Sequence, residues 1–216
     1  MNQTPSHDEL RYPGKTNVRT IRAGSSLRVA VVSSCANLRS IEGLDSQRLL
    51  HLELPDNPFL SMQDIERIVV NIPNIRYLSL SSTAVDDNIL SLLSKHARSL
   101  EMLRCSNTGV QRPKIDLPEL KCLDLGKCWS LDHVEIAAPL LETLILTHSI
   151  ISDTTLSNIG KSCPRIKYLW LSGCTNLVDS PTTEWCVVSS LLFSSLLFSS
   201  LLFSSFLFSS LLFSSL

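Results

Sequence analysis

The hydrophobic positions of this chain follow one spacing that recurs along most of its length. In the stretch IKYLWLSGCTNLVD, which begins at Ile166, the other apolar positions are Leu169, Leu171 and Leu177, with Cys174 between them. The interval of two between Leu169 and Leu171 is the period of a β-strand, in which both side chains point to the same face. The other intervals fit neither a simple strand nor a simple helix. The pattern therefore indicates a single turn of a structural repeat.

The same frame, LxxLxLxxCxxL with any aliphatic residue at L, occurs in seven copies. These copies begin at Leu27, Leu49, Ile75, Leu100, Leu120, Leu141 and Ile166. The steps between successive start positions all lie within the leucine-rich-repeat range of roughly 20–29 residues. The ninth position of each copy carries a small residue that can form hydrogen bonds: Cys35, Asn57, Thr83, Thr108, Cys128, Ser149 and Cys174. We expect these residues to satisfy backbone groups in the turn after each strand, so the cysteines are predicted to be structural rather than reactive.

Helical spacing is found in the longer copies. The runs that follow it are Ile65, Ile68, Val69 and Ile72; Ile89, Leu92 and Leu93; and Leu156, Ile159 and Cys163. Asp86, and either Ser152 or Asp153, are placed to cap the second and third helices, and Pro73 and Pro164 follow helix ends. The shorter copies contain Pro113, Pro118 and Pro139 instead. For 109–119 and 132–140 we therefore expect a loop or a 3₁₀ turn.

These patterns predict an α/β leucine-rich-repeat solenoid with a low-complexity C-terminal tail. The solenoid is expected to be right-handed, with about seven repeats and a parallel β-sheet on its concave face. The predicted divisions are a polar N-terminal arm at 1–26, which we expect to be loose, the repeat domain at 27–179 and the tail at 180–216.

Composition narrows the classes of function. The chain has 216 residues and a formal net charge of −1, which argues against a nucleic-acid surface. Its seven cysteines lack any CxxC spacing, and the segment 1–26 contains no apolar signal-peptide core. We therefore expect reduced thiols and a cytoplasmic or nuclear location. No residue pattern points to a catalytic centre, a cofactor or a metal ion.

Two longer stretches resemble a known family. SIISDTTLSNIGKSCPRIKYLWLSGCTNLVD and STAVDDNILSLLSKHARSLEMLRCSNTGV are similar to the cysteine-containing leucine-rich repeats of F-box/LRR proteins, and the resemblance covers roughly 27–179. It implies that the repeats recognise a substrate within an SCF-type ubiquitin ligase, with ligase subunits as further partners. The family also has an N-terminal F-box, but residues 1–26 are too few and too polar for that helical module. A repeat scaffold or a degenerate fragment without a ubiquitin role is the alternative.

A binding site is expected on the concave face. The third and fifth positions of each copy flank a buried leucine and should point outward from the sheet. Among them, the candidate protein-binding residues are Tyr77, Arg104, Asp124, Tyr168 and Trp170. Exposed Tyr and Trp near Arg are frequent interface anchors. However, strands favour aromatic residues anyway, and Trp170 could instead lie under a terminal cap.

The tail departs from the repeat frame. From Ser189 it repeats five residues, SSLLF, without any charge, so its apolar residues would spread around a helix rather than form one face. Three interpretations are open: a translated simple DNA repeat from a faulty gene model, a weak membrane anchor, or a low-complexity segment that covers the end of the solenoid. Because serine is so frequent, membrane insertion would be marginal, and we do not expect a membrane partner.

Overall fold

The computed structural model describes residues 8–14, 17–44, 47–177 and 186–187. The elements in this part of the chain are β1 (Glu9–Pro13), β2 (Thr20–Arg22), β3 (Val29–Ser33), β4 (Ser40–Glu42), β5 (His51–Glu53), α1 (Met62–Val70), β6 (Tyr77–Ser79), α2 (Asp87–His96), β7 (Met102–Arg104), β8 (Lys114–Asp116), β9 (Cys122–Asp124), β10 (Glu135–Ala137), β11 (Thr143–Ile145), α3 (Asp153–Ser162), β12 (Tyr168–Trp170) and β13 (Cys186–Val187). Apart from β13, the predicted tail at 180–216 lies outside the described residues.

One nine-stranded sheet forms the spine of the molecule, in the order β1-β3-β5-β6-β7-β9-β11-β12-β13. All of its pairings are parallel except the last, because β13 runs antiparallel to β12. Each of the seven predicted copies supplies one strand, which begins at its third position. The predicted leucine-rich-repeat solenoid is confirmed.

The core is a column of aliphatic side chains behind this sheet. The fourth position of every copy is buried, with at most 2% of its surface exposed: Ala30, Leu52, Leu78, Leu103, Leu123, Leu144 and Leu169. Adjacent copies pair these residues in register, as Leu78 with Leu103 and Leu103 with Leu123. Truncating one of them, such as Leu103, to alanine would destabilise the fold by about 2–5 kcal/mol.

The N-terminal segment adds a coil that the sequence analysis missed. β1 pairs with β3 along five residues, and Leu10 and Tyr12 pack against the core. Both residues fit the fourth and sixth positions of the repeat frame, and Gly14 fits the eighth. The prediction of a loose arm is therefore wrong for these residues, because an exposed edge of β3 offers a ladder of backbone groups to pair with.

The eighth position of every copy has the same unusual backbone. Its φ angle is positive, between 53° and 75°, at Ser34, Asp56, Ser82, Asn107, Lys127, His148 and Gly173. This left-handed residue turns the chain out of the strand, and its N–H then donates to the next coil, as from Asn107 to the Gly126 carbonyl at 2.8 Å. Residues other than glycine rarely adopt this conformation.

Coil length decides what lies on the convex side. The three longer coils, which begin at Leu49, Ile75 and Leu141, contain α1, α2 and α3. The three shorter coils, which begin at Leu27, Leu100 and Leu120, contain β4, β8 and β10. A three-residue strand crosses the back of a coil in fewer residues than a helix does, because it rises about 3.3 Å per residue against about 1.5 Å.

The prediction of a loop or a 3₁₀ turn at 109–119 and 132–140 is therefore wrong. Each segment contains a short strand, and β8 and β10 pair in parallel, with Ile115 opposite Ile136. This pairing satisfies the backbone groups that a helix would have satisfied internally. The prolines do not prevent it, because all of them lie outside the two strands.

The predicted helices are confirmed, with the expected ends. Asp86 caps α2 by accepting hydrogen bonds from the backbone of Asn88 at 2.9 Å and Ile89 at 3.2 Å. Ser152, rather than Asp153, caps α3. The buried residues of α1 are Ile65, Ile68 and Val69, as the helical spacing predicts.

Candidate functional site

The concave face presents two rows of side chains, one on either side of the buried column. The third-position row runs through Val29, His51, Tyr77, Met102, Cys122, Thr143 and Tyr168, and the fifth-position row runs through Val31, Glu53, Ser79, Arg104, Asp124, Ile145 and Trp170. Because neighbouring strands lie about 4.8 Å apart, each residue is adjacent to its equivalents in the next coils.

A polar and aromatic cluster occupies the middle of this face. The rings of His51 and Tyr77 are stacked, with centroids 4.1 Å apart and an interplanar angle of 1°. His51 Nε2 lies 2.6 Å from Glu53 Oε1, so the imidazole is held on two sides. The Arg104 guanidinium lies 5.9 Å from the centre of the Tyr77 ring, within the range of a cation–π contact.

Burial shifts the pKa of two groups in this cluster. It raises the pKa of the Tyr77 phenol, although the Arg104 charge opposes the shift. It also raises the pKa of Asp124, against a hydrogen bond from the Gly126 backbone N–H and the charge of Arg104. That hydrogen bond joins Gly126 N to Asp124 Oδ1 at 2.9 Å. The phenol is therefore neutral at physiological pH, and one oxygen of Asp124 is already used.

The five candidate residues fall into two groups. Tyr77, Arg104 and Asp124 lie together on β6, β7 and β9, which are consecutive in the sheet. Tyr168 and Trp170 lie on β12, two strands beyond β9; Tyr168 is 47% exposed and Trp170 is partly buried. Their role in binding stays a prediction. His51 and Glu53 were not among the predicted candidates, although the third position that His51 shares with Tyr77 was a signal for the stacking of their rings.

A separate row of charged side chains lies at the edge of the sheet, and most of these side chains pair with each other between neighbouring coils. The second positions of five successive copies alternate in sign: Arg76, Glu101, Lys121, Glu142 and Lys167. Glu101 pairs with Arg76 at 3.4 Å and with Lys121 at 2.7 Å, and Glu142 pairs with Lys167 at 2.9 Å. The hydrogen bond from Lys121 lowers the pKa of Glu101.

The ninth-position residues bond to backbone, as predicted, and the partner depends on the side chain. Hydroxyls bond within their own coil, as from Thr108 to the Cys105 carbonyl at 2.7 Å. The thiols of Cys128 and Cys174 bond to the preceding coil, at 3.3 Å to the Cys105 carbonyl and at 3.1 Å to the Leu146 carbonyl. The Cys35 thiol contacts both its own coil and the preceding one. Burial raises the pKa of Cys128 and also that of Cys105, which lies at the sixth position of its copy. Both thiols are therefore protonated at neutral pH, as expected of a structural role.

Asn57 serves both coils at once. Its amide nitrogen donates to the carbonyl of Val32 at 2.7 Å in the preceding coil and to the carbonyl of Leu54 at 3.0 Å in its own coil. Its amide oxygen accepts from the Cys35 backbone N–H at 3.0 Å. Asn57 is fully buried, so no water replaces these bonds if the side chain is lost.

The exposed aromatic side chain of Trp129 was missed by sequence reasoning. Trp129 follows the ninth-position Cys128 and is 62% exposed. Its ring centre lies 5.3 Å from that of His148 in the next coil. A large apolar residue directly after the ninth position was the available signal.

The described residues contain neither a candidate metal site nor a candidate membrane-spanning helix. Within these residues, no group of three or more His, Cys, Asp or Glu side chains is arranged to hold a metal ion. The same part of the chain has no helix of the length and hydrophobicity needed to cross a membrane.

The fold and the concave rows define a leucine-rich-repeat protein, a class whose members are generally non-enzymatic scaffolds for protein interactions. Residues 44–168 match a family model described as FBD-associated F-box protein At5g56370, LRR repeats. The match covers more than half of the chain, and the chain belongs to this family of F-box-associated repeats.

Individual relatives agree with this class. The chain is 30% identical over 111 residues to Protein SUPPRESSOR OF npr1-1, CONSTITUTIVE 1 of Arabidopsis thaliana, which is 51% of this chain and 8% of that protein. It therefore spans less than a tenth of this curated relative. Among solved structures, the functional domain of InlJ from Listeria monocytogenes, described as including a cysteine ladder, has a TM-score of 0.50 at 16% identity, over 77% of this chain and 42% of that one. An internalin, InlF, from the same organism has a TM-score of 0.40 at 12% identity, over 79% and 66%. At 16% identity, the likeness to InlJ shows the fold alone.

Proposed function

We propose that the concave face recognises a protein substrate and that the repeats act as the substrate-binding part of an SCF-type ubiquitin ligase. The observation that carries the binding proposal is the central cluster, in which the exposed Arg104 lies over Tyr77 on a rigid sheet. Aromatic and arginine side chains that are held in place dominate the energy of protein interfaces. Membership of the F-box-associated repeat family supports the ligase context.

The thiols support a location in the cytoplasm or nucleus. Cys35, Cys105, Cys122, Cys128, Cys163 and Cys174 are all free. A reducing compartment keeps such thiols unpaired. An SCF-type ubiquitin ligase would act in the same compartment.

The test is affinity purification of the tagged full chain from its native cells, followed by quantitative mass spectrometry. A cullin and its adaptor recovered in fixed ratio with the chain would support the ligase role. Other proteins recovered without them would support an independent binding scaffold and overturn the ligase role.

A matched pair of variants tests which surface binds. Arg104→Gln changes the concave face, whereas Arg76→Gln changes the paired charges at the sheet edge. We expect the first variant to lose the co-purifying substrate and the second to retain it. Equal recovery with both variants would overturn recognition through the centre of the concave face.

A further inference from the structure

We infer that the segment bound by the concave face is an extended peptide that presents a carboxylate to Arg104 and an apolar side chain to Ile145 and Trp170. This inference rests on the proposed function, because it names the chemistry of the partner at the same face. Two observations carry it: the unused donors of Arg104, and the change from polar to apolar along the fifth-position row.

Arg104 differs from the basic side chains that the structure pairs elsewhere. In the described residues, no hydrogen bond or ion pair uses its guanidinium, whose contact is the Tyr77 ring. Paired basic side chains on other faces and at the N-terminal coil are Arg11, Arg22, Arg67, Arg76, Arg98, Arg112, Lys114, Lys121 and Lys167. A guanidinium held over a ring with its donors open is suited to a bidentate bond with a carboxylate.

The acidic groups nearby are less available for a basic ligand. Glu53 is engaged by His51 at 2.6 Å, and Asp124 Oδ1 accepts from Gly126 N at 2.9 Å. Within the described residues, no hydrogen bond uses the second oxygen of Asp124, and the negative charge of Asp124 would repel the carboxylate of the ligand. A basic ligand side chain would have to compete with these bonds and with the Arg104 charge.

The fifth-position row sets the spacing of the ligand. From Arg104 it continues through Asp124 to Ile145 and Trp170, in register on successive strands. Arg104 and Trp170 are separated by three strand spacings, or roughly 14 Å. An extended chain covers this distance in about four residues. The expected motif is therefore Asp or Glu, followed or preceded about four residues away by a large apolar residue.

The experiment is a selection from a displayed library of random linear 12-residue peptides on the immobilised full chain. The same selection is run on Arg104→Glu, and affinities of the enriched peptides are then measured for Arg104→Gln, Asp124→Asn and the edge control Arg76→Gln. Circular dichroism melting checks that every variant is folded, which we expect since Arg104 is exposed.

The expected result is enrichment of an acidic residue with an apolar residue at the stated spacing. Arg104→Gln should lower affinity about tenfold or more, as for loss of a charged hydrogen bond, and Arg76→Gln should change it less than about twofold. Asp124→Asn should raise affinity, and selection on Arg104→Glu should favour Lys or Arg.

The other outcomes separate the two proposals. Enriched peptides that lack an acidic residue but depend on Tyr168 and Trp170 would overturn the acidic motif and leave concave recognition standing. If no enriched peptide depends on any concave residue, both the motif and concave recognition are overturned.

Discussion

The ninth-position residues form a column of turn residues, which we call the turn column. This column and the concave face are built from the same coils, yet they use their polar groups in opposite ways. At the ninth position, buried side chains bond the backbone of their own or the preceding coil, and Asn57 bonds both. On the concave face, the Arg104 side chain makes no hydrogen bond within the described residues, and its guanidinium lies 5.9 Å from the centre of the Tyr77 ring. The difference teaches that a repeat can use the polar groups on one side to hold its coils together, while polar groups on another side remain available to bind a partner.

The strongest way to break the turn column is Asn57→Ala. The change leaves the backbone groups of Cys35, Val32 and Leu54 buried without their present partner. We expect the free energy of unfolding to fall by about 3 kcal/mol, measured by urea denaturation. Asn74→Ala is the control, because Asn74 forms one exposed bond to the Gln47 carbonyl at 2.8 Å. Equal losses in the two variants would contradict a special role of the buried column.

On the concave face, the double change Tyr168→Ala and Trp170→Ala should weaken partner capture without unfolding the protein. Loss of two aromatic anchors lowers affinity by roughly a hundredfold, read out by pull-down and titration. The paired Lys167→Ala on the same strand is the control. Unchanged capture by the double variant would remove this end of the face from the site.

Thiol reactivity should separate the two regions further. Cys122 lies on the concave face and is partly exposed, whereas Cys105 and Cys128 are fully buried in the stack. Burial raises the pKa of all three thiols, so the difference in exposure decides their relative reactivity. With iodoacetamide under native conditions, we expect Cys122 to react at least about ten times faster than either buried thiol. Peptide mass mapping measures the rates, and urea should abolish the difference. Fast native labelling of Cys128 would contradict its structural role.

The smallest effect is expected at the charged edge of the sheet. Glu101→Gln removes exposed ion pairs with Arg76 and Lys121, so the melting temperature should fall by no more than roughly 2 °C at neutral pH. The folded state lowers the pKa of Glu101, so its contribution is present above the unfolded pKa and is lost as the pH falls through the folded one. The melting temperatures of the unmodified protein and of Glu101→Gln should therefore converge in acid. A difference in melting temperature that grows as the pH falls would contradict the lowered pKa of Glu101.

The sequence was sufficient for the parts of this fold that rest on periodicity. The repeated leucines predicted the sheet, and helical spacing with Asp86 and Pro73 predicted helix positions, because each rests on local chemistry. The N-terminal coil was missed because Leu10 and Tyr12 alone carry its frame. The left-handed eighth position was missed because Ser34, Lys127 and His148 share no side-chain signal for it.

The candidate site was predictable only as two rows of outward-facing residues. The frame placed Tyr77, Arg104 and Asp124 on adjacent strands, since register follows from the alignment of copies. It did not predict the stacking of His51 on Tyr77 or the open donors of Arg104. Those depend on rotamers and on competing partners, which become visible only when all neighbouring side chains are in place.

The alternation of helix and strand on the convex side determines the local curvature of the solenoid. Packed helices lie about 8–10 Å apart, whereas strands lie about 4.8 Å apart, so coils with helices on their backs must fan open. The coils that carry Arg104 and Asp124 have β8 and β10 on their backs, paired in parallel, and so stack without fanning. We therefore expect less bending between these two coils than between the neighbouring coils that carry α1 and α2.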